Sequence, residues 1–222
     1  MKKLLLIMLS GILILACGKQ ESVTDKKADP AQSEKTYKIG ITQIVTHPSL
    51  DLAKEGFKKA FEEAGLKAEY DEKNAEGSIA NANLISTNFK ADKKDLVFGI
   101  ATPSAQALAN NISDIPVIFS AVTDPESAKI LNQNVNGTSD RVDNIGEQLD
   151  LLLKLNPKVK KIGILYNTSE QNSLVQVRDI EAKAKEKNIE VVLQGVTAFG
   201  ELAQGTKALL SQVDALYIPT DN

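Results

Sequence analysis

Val97-Phe98-Gly99-Ile100-Ala101-Thr102-Pro103-Ser104-Ala105-Gln106-Ala107-Leu108-Ala109 passes from an apolar run directly into a helical pattern. The run ending at Ala101 has the length and composition of a strand covered on both faces, and Pro103 suits the first position of a helix. The helix therefore begins at the strand's carboxyl end. Its first N–H groups lack intrahelical partners and its dipole is positive there, so Thr102, Ser104 and the bare backbone would hold a carboxylate or another anion. Simple capping explains the two hydroxyls equally well, and the choice depends on the rest of the chain.

On the amino-terminal side, Met1-Lys2-Lys3 precedes an almost wholly apolar run from Leu4 to Leu15. That run is too short to span a bilayer as a stable helix and has the pattern of a secretory signal, placed at residues 1–16. Ile14-Leu15-Ala16-Cys17-Gly18 follows, with a small residue before the chain's single cysteine. It resembles a bacterial lipobox, in which Cys17 is lipidated and becomes the first mature residue, although Leu15 is bulkier than usual there. Each acyl methylene buried in the bilayer contributes ~0.8 kcal/mol, so more than one chain on Cys17 would anchor a soluble body to a membrane without a transmembrane helix. Residues 17–35 have Val23 as the one sizeable apolar side chain after Cys17, among lysines, acids, Ser, Gln and Pro30, and are expected to form a disordered tether. Glu21, Asp25, Asp29 and Glu34 interrupt the lysines, which argues against headgroup binding by the tether. The body is expected on the extracytoplasmic face of the cell membrane, in a periplasm or outside the cell.

With 26 basic and 29 acidic residues the net charge is −3, which leaves no electrostatic footprint for nucleic acid. A single cysteine supplies neither a disulfide framework nor a cysteine-rich metal site, and no cofactor or metal is expected.

Tyr37–Ile44 alternates like a first strand, and Pro48 opens a helix whose Leu50, Ala53, Phe57, Ala60, Phe61 and Ala64 form one apolar stripe ended by Gly65. A second strand is expected over Leu66–Tyr70. Ser78 then caps a helix with Ile79, Ala82, Ile85 and Phe89 on one face. The strand and helix quoted above come next, reaching about Asn111, and Pro116–Phe119 reads as a fourth strand. Strands alternating with helices call for a parallel sheet with helices on both faces. Ligands of such sheets bind outside the carboxyl ends of the strands, which selects the loops Gln43–Ser49, Ala101–Ser104 and Ser120–Pro125.

Asn134–Thr138 reads as a turn-rich stretch, after which the pattern begins again. Ile145, Leu149, Leu152, Leu153 and Leu155 mark a helix stopped by Pro157, and Lys161–Tyr166 is a strand like Tyr37–Ile44. A helix over Gln171–Lys187 presents Leu174, Val177, Ile180 and Ala184 on one side and a Glu181–Lys185 pair on the other. The strand Ile189–Val196, a helix through Leu209 and Leu210, and the strand Asp214–Ile218 complete a second parallel sheet. The chain thus divides into lobe one at residues 36–140 and lobe two at residues 141–222, joined near Thr138–Val142, with a cleft able to trap a small molecule.

Thr46–Asp51, Ile100–Ala107, Phe119–Pro125, Ile164–Asn167 and Ile218–Asn222 together resemble the substrate-binding lipoproteins of one family of ABC importers, some of which bind tryptophan or tyrosine. The resemblance covers Lys38 to Asn222. It implies a type I periplasmic-binding fold, capture of a small molecule, delivery to an ABC permease and no catalysis. Family members continue beyond the Pro219-Thr220-Asp221-Asn222 motif, so the second lobe is expected to be C-terminally truncated. For an amino-acid ligand, Thr102 and Ser104 would hold the carboxylate and Asp221 the ammonium, with Gln43, Ser120, Thr123 and Asn167 as further contacts at strand ends. Asp221 and Asn167 are equally well explained as turn residues. His47, the chain's one histidine, is as readily a helix cap as a ligand contact.

An extracytoplasmic sensor feeding a membrane receptor would need the same cleft and is the alternative reading. An enzyme is disfavoured, because the sequence has no Ser/His/Asp or metal-ligand spacing and no paired carboxylates at strand ends. If Cys17 is the acylated first residue, Cys17→Ser leaves the precursor uncleaved and unlabelled by a palmitate analogue; normal labelling of the variant would overturn the lipobox reading.

Overall fold

A computed structural model of the chain describes residues 35–220. The signal segment, Cys17, the tether apart from Lys35, and Asp221 lie outside them. The first sheet contains β1 (Thr36–Gln43), β2 (Lys67–Asn74), β3 (Leu96–Ile100), β4 (Val117–Val122) and β5 (Val135–Ser139), in the order β2-β1-β3-β4-β5 and parallel throughout. Its helices are α1 (Pro48–Glu63), α2 (Ile79–Ala91) and α3 (Thr102–Asn111). A second parallel sheet follows with the order β7-β6-β8, made of β6 (Lys161–Asn167), β7 (Glu190–Val196) and β8 (Ala215–Tyr217). Around it lie α4 (Ile145–Leu155), α5 (Gln171–Glu186) and α6 (Leu202–Leu210). Each sheet with its helices is one lobe.

The alternation of side chains along β1 and β3 sorts the helices onto opposite faces. A Cβ on Gly40 would meet the Phe89 ring of α2 at 2.7 Å, and one on Gly99 would meet Leu108 and Ala105 of α3 at 2.9 and 3.0 Å. These glycines let α2 and α3 lie close on one face, where Phe89, Val97, Leu108, Ile112 and Val117 pack together. Phe98 points the other way and stacks on Phe57 of α1, with ring centroids 4.3 Å apart. Such a pair contributes about 0.5–1.5 kcal/mol beyond its area. Right-handed crossovers explain the split: the chain leaves β1 for β2 in one direction and returns past β1 to β3 in the other, so α1 and α2 must take opposite faces.

Both lobes fasten their central strands with the same device. Asp95, just before β3, accepts the Lys38 N–H at 2.8 Å and the Lys35 ammonium at 2.7 Å, and its own N–H bonds the Lys38 carbonyl at 2.8 Å. Asp214, just before β8, accepts the N–H groups of Lys160 and Lys161, both at 2.9 Å, and its N–H bonds the Lys161 carbonyl at 2.9 Å. The Lys35 ammonium and the Lys38 N–H hold the Asp95 carboxyl below its ordinary range, and the two backbone N–H groups do the same for Asp214.

Several expectations are corrected. The stretch Asn134–Thr138 is not merely a turn, because β5 occupies Val135–Ser139 and pairs with β4 through Val117↔Val135, Ile118↔Asn136 and Phe119↔Gly137. Its side chains are mostly exposed, so this edge strand shows no apolar alternation; backbone pairing holds it, with Val135 against the core and the Thr138 and Ser139 hydroxyls bonded to Ser120 and Thr123. β2 runs on to Asn74, beyond Tyr70, because its acids Asp71 and Glu72 pair with Lys94 at 2.7 Å and Lys58 at 2.9 Å. On α2, Ile79 is exposed; Ser86 is buried and donates its hydroxyl to the Ala107 carbonyl at 2.9 Å. On α5, Leu174 is exposed, while Asn172, Ser173 and Gln176 are buried beside Val177, Ile180 and Ala184. An ion pair on its outer side joins Lys183 to Glu186 at 3.0 Å, three residues apart with the lysine first, in place of the expected Glu181–Lys185.

The junction between β3 and α3 carries backbone strain. Ala101 has φ 75° and ψ 156°, a conformation open almost only to glycine, and Ala121 at the end of β4 has φ 55°. Ala101→Gly is therefore expected to raise unfolding stability by about 1 kcal/mol in urea titration despite losing a methyl, whereas Ala109→Gly inside α3 loses about 1 kcal/mol. Gly137→Ala tests the edge pairing: its Cβ would lie 2.2 Å from the Phe119 carbonyl oxygen and 2.5 Å from its ring. A melting temperature well below that of the parent is expected, while Gly56→Ala, with open space around it on α1, raises it.

Candidate ligand site between the lobes

The two parallel sheets each reverse their order at a central strand, β1 beside β3 and β6 beside β8, and crevices form at such switch points. A cavity of about 390 Å³ opens at the carboxyl end of the first sheet and is closed by the second lobe. Val45, Leu50 and Ala53 form an apolar wall between β1 and α1, with His47 and Ser49 at its rim. Thr102 enters from the start of α3, Ser120 and Ala121 from β4 with Thr123 just after it, and Thr138 and Ser139 from β5 with Asp140 just after it. The second lobe contributes Asn172 from the first turn of α5 and Thr220.

Two of the helices that point at this cavity begin without a side-chain cap. Neither α3 nor α5 has a capping hydrogen bond, whereas His47 Nδ1 accepts the Ser49 N–H at 3.3 Å to cap α1 and Ser78 Oγ accepts the Asn81 N–H at 3.2 Å to cap α2. The uncapped start of α3 leaves N–H donors and a positive dipole end for a ligand's anionic group. The strained turn at Ala101 aims α3: its N–H bonds the Ser120 carbonyl at 3.0 Å and its carbonyl accepts the Ala105 N–H at 3.1 Å.

Buried polar groups mark the same region. Asn172 gives its amide N–H groups to Glu170 Oε2 at 3.2 Å and the Thr220 carbonyl at 3.1 Å, but its Oδ1 is buried with no partner among the described residues. Gln176 holds Thr220 from both sides, donating to its carbonyl at 3.0 Å and accepting its N–H at 2.9 Å. On the opposite wall Thr123 Oγ1 donates to Asp140 Oδ1 at 3.1 Å, and Ser139 Oγ donates to the Thr123 carbonyl at 2.9 Å.

Of the residues expected at the site, Thr102, Ser120 and Thr123 line the cavity. Ser104 lies behind them, fully buried, its Oγ without a partner among the described residues. Gln43 turns its amide away to the Val45 carbonyl at 3.0 Å and Asp51 Oδ1 at 3.1 Å, so it braces the β1–α1 turn. Asn167 accepts the N–H and hydroxyl of Ser169 and donates to Glu170 Oε1 at 3.1 Å, the work of a turn residue. Asp221 lies outside the described residues. His47 caps α1 and also reaches the rim. Thr138, Ser139 and Asp140 were missed because β5 was not recognised as a strand; a polar run after a strand end was the available signal. Asn172 and Thr220 carry no such signal, since only tertiary packing brings them to the cavity.

Residues 38–222 match the family of ABC transporter substrate binding proteins. A tyrosine-binding protein of Clostridioides difficile (strain R20291) is 43% identical over 239 residues, covering 100% of this chain and 68% of that protein. The crystal structure of an ABC domain in complex with L-Trp from Streptococcus pneumonia is 38% identical, with a TM-score of 0.80 over 85% of this chain and 66% of that one. The ligand-free, open structure of a substrate binding protein with adhesive properties from Clostridium difficile is 44% identical, yet its TM-score is 0.56 over 84% of this chain and 66% of that one. The chain spans about two thirds of the length of these relatives. Its two-lobed parallel architecture, the cavity at the switch point and a match running from Lys38 onward agree: the chain belongs to the ABC transporter substrate-binding family.

Proposed function

We propose that this chain is the extracytoplasmic binding component of an ABC importer, that it captures an aromatic amino acid between its lobes, and that it passes the ligand to a membrane permease. In this reading residues 1–16 direct export, Cys17 carries the lipid anchor and residues 17–35 tether lobe one (36–140) and lobe two (141–222) to the membrane. The observation that carries the proposal is a cavity with an apolar wall at one side and the uncapped start of α3 at the other. An amino acid has the same division. Its carboxylate fits the start of α3 beside Thr102, its ammonium fits the carboxylate of Asp140 with Asp221 as a second acceptor, and its ring fits Val45, Leu50 and Ala53. A cavity of about 390 Å³ is ample for a single amino acid. The relatives that bind tyrosine and L-Trp support the aromatic class.

Titration calorimetry with L-tyrosine, L-tryptophan and L-lysine tests this. Either aromatic ligand is expected to bind and lysine is not. Thr102→Val and Asp140→Asn each remove a hydrogen bond to a charged group and are expected to weaken binding on the order of tenfold or more. Ser78→Ala, which uncaps α2 away from the cavity, should leave affinity unchanged while lowering stability by ~1 kcal/mol. Parental affinity in both site variants, or no binding of either aromatic amino acid, would overturn the reading.

A further inference from the structure

The described chain crosses from one sheet to the other between β5 and α4, and Arg141 stands in that crossing. Its backbone N–H bonds Ser139 Oγ at 3.0 Å. Its guanidinium meets three separate carboxylates: Nη1 donates to Asp124 Oδ2 at 2.6 Å, Nη2 to Asp179 Oδ2 at 2.9 Å, and Nε to Asp143 Oδ1 at 3.2 Å. Asp124 is fixed in the first lobe, where the N–H and hydroxyl of Ser127 hold its carboxylate at 3.0 and 2.9 Å. Asp179 sits on α5 in the second lobe. A planar fork binds two carboxylates only where both lie in its plane at the right separation. The two lobes can therefore share Arg141 in a narrow range of relative orientations. The same segment lines the ligand cavity through Ser139 and Asp140, which are bonded to Thr123.

The chain superposes better on the L-Trp complex than on the ligand-free open relative, although it is more identical to the latter. The bridge is seen in a chain that fits the L-Trp complex at a TM-score of 0.80 and the open relative at 0.56. We propose that Arg141 is a positioning residue, a latch whose guanidinium joins Asp124 of the first lobe to Asp179 of the second and sets how readily the cleft closes. Removing the bridge lowers the fraction of molecules in the binding-competent arrangement, and apparent affinity falls with that fraction. Three acids round one cation make the effect asymmetric. Loss of Arg141 leaves mutual repulsion, and salt, which screens half-exposed charges, loosens the latch.

The test uses the full chain with Cys17→Ser, spin-labelled at Lys59→Cys on α1 and Lys207→Cys on α6, both exposed positions in different lobes. Without ligand, Arg141→Gln and Asp179→Asn are each expected to broaden and lengthen the interlobe distance distribution. Arg141→Lys, which keeps the charge and loses the fork, should fall between them and the parent; high salt should broaden the parent's distribution and, by screening the acids left facing one another, narrow that of Arg141→Gln. Asp143→Asn, which changes the most exposed acid of the cluster, should match the parent. Tyrosine affinity is expected to fall about threefold in Arg141→Gln and Asp179→Asn, in the range of one partly exposed ion pair. The affinity readout rests on the ligand reading above, whereas the distance readout does not. Altered distances with no amino-acid binding would sustain the latch and defeat that reading. Parental distance distributions in Asp179→Asn and in Arg141→Gln would overturn the latch; should Arg141→Gln fail to fold, Asp179→Asn alone decides.

Discussion

The pairing of β1 with β3 is the constraint on which the cavity depends. Because these strands lie side by side while their following helices leave for opposite faces, the space beyond their carboxyl ends has no covering helix. The β1–α1 turn, the start of α3 and the ends of β4 and β5 all open into it. Gly40 and Gly99 make the pairing compatible with close helices on one face, and Phe98 against Phe57 seals the other. Strain at Ala101 follows from the same geometry: a strand that must turn straight into an uncapped helix uses a conformation that an alanine resists. Such strain persists only where the surrounding packing over-determines it, and Ala101 is buried between β3, β4 and α3.

The fold was largely legible because its strongest signals were local. Pro48 and Pro103 at helix starts, Gly65 after α1 and the apolar run Val97–Ile100 announce their elements in a few residues each. The site was legible only in outline. Thr102, Ser120 and Thr123 follow from the rule that ligands bind at strand ends, because their side chains point along the direction that the strands set. Gln43 and Asn167 obeyed the same rule by position, but each gives its amide N–H to neighbours within eight residues. No periodicity reports such local hydrogen bonds. β5 escaped notice because an exposed edge strand needs no apolar side chains, and Asp140 escaped with it. Asn172 and Thr220 reach the cavity through a second-lobe network, so their positions depend on contacts between residues more than forty apart in sequence.

The second lobe meets the ligand space through polar groups rather than an apolar face. Asn172, Gln176 and Thr220 are locked to one another, and α3 rests against α5 beside them. A rigid polar surface of this kind can be wetted and dried reversibly, since its hydrogen bonds are complete except at Asn172 Oδ1. An apolar surface would instead favour collapse of the empty cleft.

The paired fasteners at Asp95 and Asp214 give the two lobes a common weak point in acid. Each carboxyl is held below its ordinary range in the folded chain, so its contribution is complete above the unfolded aspartate value and fades as pH falls through the lower folded value. Both aspartates stand at the amino ends of the strands, the far side of each sheet from the cavity. Protonation would weaken the hydrogen bonds that these carboxylates accept from Lys38 and from Lys160 and Lys161, while the backbone pairing of β1 with β3 and β6 with β8 remains. Acid would thus weaken both lobes first at their outer rims, on the side of each sheet away from the mouth of the cleft.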